Sequence, residues 1–203
     1  GRWVAEAGWP SSNLIPVNYW LQGETLVESA PPAATPSAPQ WVECRGVQTH
    51  GLYGGVWCPF GQAGDLPSDQ RAEDGLSLCF TTPPLTERME ILGFPEMTLT
   101  LTSDKPNALV AVRLCDVAPS GESTRVTYGV LNLCHRDGHD KPSALKPGAT
   151  YKVRVAMDHV AYRVPKGHRL RIALSTAYWP LIWPSPEPVL LTLTTGKSEL
   201  HLP

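Results

Sequence analysis

Met97-Thr98-Leu99-Thr100-Leu101-Thr102 alternates a large apolar side chain with a threonine for six residues. That period of two is the spacing of a β-strand with one buried face, because successive side chains leave an extended backbone on opposite sides. The period recurs downstream. Val110, Val112 and Leu114 share one face of a second run, Val126, Tyr128 and Val130 one face of a third, and Tyr151, Val153 and Val155 one face of a fourth. Leu170, Ile172 and Leu174 make a fifth. Leu191 and Leu193 alternate with Thr192 and Thr194, and Leu200 and Leu202 close the chain. Turn-forming clusters separate the runs: Ser103-Asp104-Lys105-Pro106, Pro119-Ser120-Gly121, Arg136-Asp137-Gly138, Lys146-Pro147-Gly148 and Pro165-Lys166-Gly167. No helical window competes. The expected fold is all-β, a β-sandwich or jelly roll, with residues 1–203 forming a single domain.

The upstream third is less regular. Residues 1–30 carry Trp3, Trp9, Tyr19 and Trp20 and end in a turn at Gly23. Residues 31–75 read as an irregular Pro/Gly-rich segment. Ala30 to Pro39 is a Pro/Ala tract that cannot hold a hydrogen-bonded ladder and reads as an extended surface link. Gly51, Gly54, Gly55, Gly61 and Gly64 follow. A long irregular stretch inside a compact domain is commonly functional or interfacial.

Composition narrows the function classes. Of 203 residues, 42% are hydrophobic, enough for a core, and the net charge is −2 with no run of Lys and Arg. Nucleic acid as a partner is therefore disfavoured, since phosphate binding needs a basic face. No apolar stretch approaches the ~20 residues of a membrane-spanning helix, so no membrane partner is expected. The chain opens Gly1-Arg2-Trp3 without Met or a signal-peptide pattern, which reads as a piece excised from a longer protein. The five cysteines, Cys44, Cys58, Cys79, Cys115 and Cys134, show no C-x-x-C pair. Buried free thiols in a reducing, cytoplasmic setting are expected, with a disulfide or zinc site as the alternative.

The search for chemistry yields little. The closest approach to a G-x-S-x-G nucleophile elbow is Gly75-Leu76-Ser77-Leu78-Cys79, which lacks the final glycine and reads as a strand. His135, Asp137, His139 and Asp140 lie within six residues and can be read as metal ligands or as the polar residues of an Asp-Gly turn. Asp69, Arg71 and Asp74 stand in an acidic loop that reads as carboxylates pinned by a guanidinium, with calcium as the alternative. No cofactor is expected. His50 and His201 show no partner in the sequence. Ser175 to Pro188 packs Tyr178, Trp179 and Trp183 among four prolines, which forbid a helix. Tyr178, Trp179, Ile182 and Trp183 are the candidate contact residues, and a filled end of the sandwich is the competing reading. Each indole covers ~150–250 Å², so two buried rings contribute several kcal/mol at ~25 cal/mol per Å².

Several stretches carry a family resemblance. Asp74-Gly75-Leu76-Ser77-Leu78-Cys79-Phe80-Thr81-Thr82-Pro83-Pro84-Leu85 and Glu90-Ile91-Leu92-Gly93-Phe94-Pro95 are two of them. Ala111 to Gly121, Arg125 to Leu133 and Gly167 to Ser175 are three more. Together they resemble the C-terminal β-sandwich of the X-prolyl dipeptidyl-peptidase and cocaine-esterase family of serine hydrolases. The resemblance is close over residues 65–203, and looser before them. It implies a galactose-binding-like jelly roll that packs on an α/β-hydrolase domain and frames its active-site entrance. It also implies that the Ser-Asp-His triad lies on that other, N-terminal domain, so no catalytic residue carries over to this chain. The parent reaction would be attack of a serine on an ester or Xaa-Pro amide, with histidine as base. Two alternatives stand beside this: a free-standing carbohydrate-binding module, and an enzyme with its own site around Asp69, Arg71 and His135. An isolated domain of this kind would expose an apolar patch and form a homo-oligomer.

Overall fold

In the computed structural model, described for residues 3–28, 40–56, 60 and 66–203, nearly all regular structure is β. The Pro/Ala tract, Cys58, Gly61, Gly64 and Asp65 lie outside the described residues. The first elements are β1 (Val17–Gln22), β2 (Thr25–Val27) and β3 (Trp41–Arg45). A one-turn helix α1 (Arg71–Asp74) precedes β4 (Leu78–Thr81), β5 (Met89–Gly93) and β6 (Glu96–Ser103). Then come β7 (Leu109–Val117), β8 (Ser123–Asn132), β9 (Tyr151–Ala156) and β10 (Val160–Val164). The last three are β11 (Arg169–Ser175), β12 (Leu190–Thr194) and β13 (Glu199–Leu202). Every alternating run of the sequence falls in one of these strands, and the intervening turn clusters fall between them.

The strand that decided the fold is also its hub. One flank of β6 pairs with β9 along its length, Glu96 opposite Ala156 to Leu101 opposite Tyr151. The other flank is shared end to end. β13 takes its first half, Leu200 opposite Met97, and β12 its second, Leu193 opposite Leu101. From this division two wings diverge. β12 leads to β3, and β13 leads through β1, β2, β4 and β11 to β7 and β8. The second wing turns back towards β9, where the Asp158 N–H donates to Tyr128 O at 3.1 Å and Thr127 Oγ1 to Asp158 O at 2.8 Å. The enclosed core takes one face of each strand: Met97, Leu99 and Leu101 from β6, Val112 and Leu114 from β7, Leu170, Ile172 and Leu174 from β11. Fully burying each such side chain contributes about 1.5–3 kcal/mol. A separate two-stranded ribbon pairs β5 with β10 and contributes Ile91 and Val164 to the core.

β7 departs from the half-buried pattern. All nine of its residues are buried, including Ala111, Arg113 and Cys115 on the face away from the core. A strand buried on both faces needs a second covering layer, and here that layer is built from loops and α1.

Candidate interaction surface

The covering layer is anchored by charge. Arg113 is wholly buried, and its guanidinium donates from Nη1 to Gln70 Oε1 and from Nη2 to Ser77 Oγ, both at 2.8 Å. Asp74, at the end of α1, lies 3.1 Å from Arg113 Nη2 and accepts from Arg171 Nη1 at 2.9 Å and from Ser123 Oγ at 2.7 Å. One carboxylate thus spans three strands: β7 and β11 through the two guanidinium groups, and β8 through Ser123. Removing one member of such a buried pair leaves the other charged and unpaired, which is costly.

Glu73 performs the same service for the loop. Its carboxylate accepts the backbone N–H groups of Gly51 at 2.8 Å and Tyr53 at 3.0 Å, and faces His50 Nε2 at 2.9 Å. Burial works to raise its pKa, but the His50 contact and the two N–H donors outweigh burial and hold it at about 2. The loop 46–56 is therefore folded around one ionised side chain. It is also sewn to the aromatic loop. Trp179 N–H donates to His50 O, Gln48 Nε2 to Ser185 O at 2.7 Å, and Gly46 N–H to Thr176 Oγ1 at 3.2 Å. Gly51 adopts a positive φ of 116° where a Cβ would stand 2.5 Å from Trp179 O, so glycine is needed for both conformation and space.

The aromatic loop divides into interior and exterior. Tyr178 is fully buried, packs on the Tyr128 ring and accepts a hydrogen bond from Arg125, so it is an interior residue and not a contact residue. Arg125 also donates to Gly54 O at 2.7 Å, which ties the loop 46–56 to β8. Burial raises the Tyr178 pKa, with Arg125 acting against it. Ile182 N–H donates to Tyr178 O at 2.7 Å, closing a tight turn. Trp179 and Ile182 are half-buried and Trp183 is 79% exposed, set edge-on to Trp179 with ring centres 5.2 Å apart. Val47, Leu52, Tyr53 and Val56 are exposed on the neighbouring loop. The covering layer therefore presents apolar side chains on two loops held rigid from beneath.

Other predicted residues take other places. Asp69 pairs with Arg71 at 2.7 Å on the surface and also accepts from Ser123 N–H at 3.2 Å, whereas Asp74 turns inward to Arg113 and Arg171. His135 and His139 meet through Nδ1 atoms 3.1 Å apart. Asp137 faces Arg136 at 3.3 Å. Asp140 Oδ1 lies 2.8 Å from where a Cβ on Gly138 would stand. Among the described residues no group of three or more His, Cys, Asp or Glu side chains is arranged to hold a metal ion. Cys44, Cys79, Cys115 and Cys134 are free, and burial pushes the Cys44 and Cys115 thiols up to about 12.

Ser77, His50 and Glu73 form a cluster whose composition matches a hydrolytic triad, but its geometry does not. Ser77 Oγ and Glu73 Oε2 both face the same imidazole nitrogen, Nε2, at 3.4 and 2.9 Å. A triad base needs one nitrogen on the nucleophile and the other on the carboxylate. His50 Nδ1 is buried with no hydrogen-bond partner among the described residues, and Ser77 Oγ donates to Glu73 O at 2.7 Å while accepting from Arg113. The serine is structural. The sequence reading missed Arg113, Glu73, His50 and Arg125. The one available signal was Arg113 between Val112 and Leu114, with the small residues Ala111 and Cys115 on its own face.

Fold and surface together define a β-sandwich module that presents loops and lacks a triad among its described residues. The chain belongs to the X-Pro dipeptidyl-peptidase C-terminal non-catalytic domain family, which it matches over residues 1–202. It is 24% identical over 193 residues to the cocaine esterase of Rhodococcus sp. (strain MB1 Bresler), covering 88% of this chain and 33% of that one. It is 25% identical over 202 residues to a Mycobacterium bovis (strain ATCC BAA-935 / AF2122/97) protein named as a serine esterase, covering 87% of this chain and 31% of that one. The chain thus spans about a third of the length of these curated relatives. Its fold is similar to that of an aminopeptidase from the marine sediment archaeon Thaumarchaeota archaeon, with a TM-score of 0.81 at 16% identity, over 100% of this chain and 38% of that one. No helix among the described residues is long and apolar enough to cross a membrane.

Proposed function

We propose that this chain serves as the accessory domain of a cytoplasmic serine hydrolase acting on esters or Xaa-Pro peptides, and that it docks on the catalytic domain through Trp179, Ile182 and Trp183. The observation that carries the reading is the family match over residues 1–202, set against relatives three times as long. A nucleophilic serine, a histidine base and a carboxylate would come from the partner domain, and this chain would frame the entrance as a galactose-binding-like jelly roll. Two features support the docking face. Trp183 is exposed on a loop fixed by hydrogen bonds from beneath, so burying it costs little ordering entropy. Tryptophan is also the residue type most enriched among binding hot spots. Without that partner the same face would pair with itself, giving a homo-oligomer. The free thiols support the reducing compartment.

The test is hydrolysis of a nitrophenyl ester and of an Xaa-Pro amide, with fluorophosphonate labelling, by this chain and by the same chain joined to its native hydrolase domain. The expected result is a silent, unlabelled chain and an active fusion that loses activity or stability on Trp183→Asp. An active, labelled chain overturns the proposal.

A further inference from the structure

The turn after β8 carries two imidazoles that no part of the docking reading uses. His135 ends a single 3-10 turn, Leu133–His135, and His139 follows four residues later. Their Nδ1 atoms converge to 3.1 Å with ring centres 5.2 Å apart and planes inclined at 45°. The contact is open to solvent. We infer that His135 and His139 form a two-imidazole seat for a divalent late-transition-metal ion such as Cu²⁺, Ni²⁺ or Zn²⁺.

The separation is the first argument. Imidazole nitrogens bind such ions at about 2.0–2.1 Å, so two of them lie about 2.9 Å apart at a right angle and about 3.4 Å apart at a tetrahedral angle. The observed spacing of 3.1 Å falls between these limits. Without an ion, the two Nδ1 atoms can share only one proton. Metal binding replaces that N–H···N bond with two N–metal bonds, and the displaced proton passes through solvent from Nδ1 to Nε2 of the same ring, so both imidazoles stay neutral.

Rigidity is the second argument. Loop residues make poor chelators when the loop is free to move, because ordering them consumes binding energy. This loop is fixed at several points. Arg136 donates to Leu133 O at 3.1 Å, to Ser143 O at 2.8 Å and to Ser143 Oγ at 2.8 Å, and its guanidinium lies 4.7 Å from the centre of the Tyr151 ring. Ser143 N–H donates to Cys134 O at 2.8 Å, and Asn132 Oδ1 accepts the Cys134 N–H at 3.0 Å. Arg136 sits between the two histidines in sequence, and its bonds fix the backbone from which both rings project.

The ligand class follows from the donors. Two neutral imidazoles favour late divalent ions over Ca²⁺ or Mg²⁺, which prefer oxygen. No third side chain completes the set among the described residues, so water fills the remaining positions and the ion keeps sites for an external ligand.

The experiment is calorimetric titration of the 203-residue chain with NiCl₂ and with ZnCl₂ in a non-coordinating buffer, together with Cu²⁺ electron paramagnetic resonance. The expected result is one saturable site per chain and a copper spectrum with two equivalent nitrogen couplings. Linking two donors raises affinity about 10²–10⁴-fold over one alone, so His135→Ala and His139→Ala should each weaken binding by about a hundredfold. His159→Ala, at another exposed histidine, should leave it unchanged. His139 is exposed and His135 half-buried, and unchanged circular dichroism spectra confirm that the variants fold. Binding that survives in the His135→Ala, His139→Ala double variant overturns the inference, as does a copper spectrum with a single nitrogen or no saturable binding at all.

Discussion

Replacing Glu73 by Gln keeps the shape of the side chain and removes its charge, which isolates what the carboxylate contributes. In the folded chain this group is held at about 2 against an ordinary value of 4.5, so its ionised form is favoured by folding. The difference corresponds to roughly 3 kcal/mol at neutral pH. The sign is fixed by the direction of the shift. A lowered pKa stabilises the fold above the unfolded value and loses that contribution as pH falls towards the folded one. The parent chain should therefore lose stability between about pH 5 and pH 2, with about two-fifths of the Glu73 contribution left at pH 3. Glutamine supplies one acceptor oxygen for the Gly51 and Tyr53 N–H groups and sets its amide against His50. The expected loss at pH 7 is about 3 kcal/mol, or roughly 6–12 °C in melting temperature for a chain of this size. The assay is urea unfolding of both proteins at pH 7 and pH 3, with the gap between them narrowing at the lower pH. A loss under about 1 kcal/mol at pH 7 would refute the reasoning, since it is smaller than one charge-assisted hydrogen bond. So would a gap of equal size at both pH values, which would trace the loss to packing and not to ionisation.

The division of the aromatic loop predicts opposite outcomes for neighbouring residues. Tyr178→Ala should cost about 3–5 kcal/mol by thermal or chemical unfolding, because it empties an interior site and removes one of the two acceptors of the Arg125 guanidinium. Trp183→Ala should change stability by less than about 0.5 kcal/mol while reducing self-association in sedimentation, since the ring is exposed. Equal losses from the two would place both rings in the interior. Gly129→Ala should destabilise by about 1–3 kcal/mol, because the new Cβ would press on the Ala156 carbonyl where β8 lies against β9. An unchanged melting temperature would mean that the two strands can part freely.

What was legible in the sequence follows a physical line. Met97, Leu99 and Leu101 announce β6 because an extended strand with one wet face writes its burial directly into alternate positions. Leu170, Ile172 and Leu174 do the same for β11. The family resemblance, carried by motifs from Asp74 to Ser175, agrees with the family match. The sequence reading placed Tyr178 with the tryptophans because the prolines around it mark an irregular loop, and a loop has no period to separate an inward ring from an outward one. His50 shows no partner in the sequence because Glu73 lies across an irregular segment and is joined to it only by the fold.

The covering layer was hidden for a deeper reason. β7 shows the ordinary alternation of Val110, Val112 and Leu114, and the reading assigns the other face to solvent. Arg113 fits that assignment as a lone residue. It is nonetheless buried, because the loop 46–56 and α1 bring Gln70, Asp74 and Ser77 to it. An apolar cover would have shown itself as a hydrophobic run, whereas a polar one matches the composition of a surface loop. Its specificity lies in direction and distance: Glu73 collects two N–H donors and one imidazole, and Asp74 collects two guanidinium groups and one hydroxyl. The same chemistry makes the layer useful. An apolar cover could slide and repack, while hydrogen bonds of fixed direction hold the loop bearing Leu52 and Tyr53, and bonds from it reach the loop bearing Trp183. The covering layer thus gives this domain a preorganised face, and a preorganised face loses little entropy when a partner covers it.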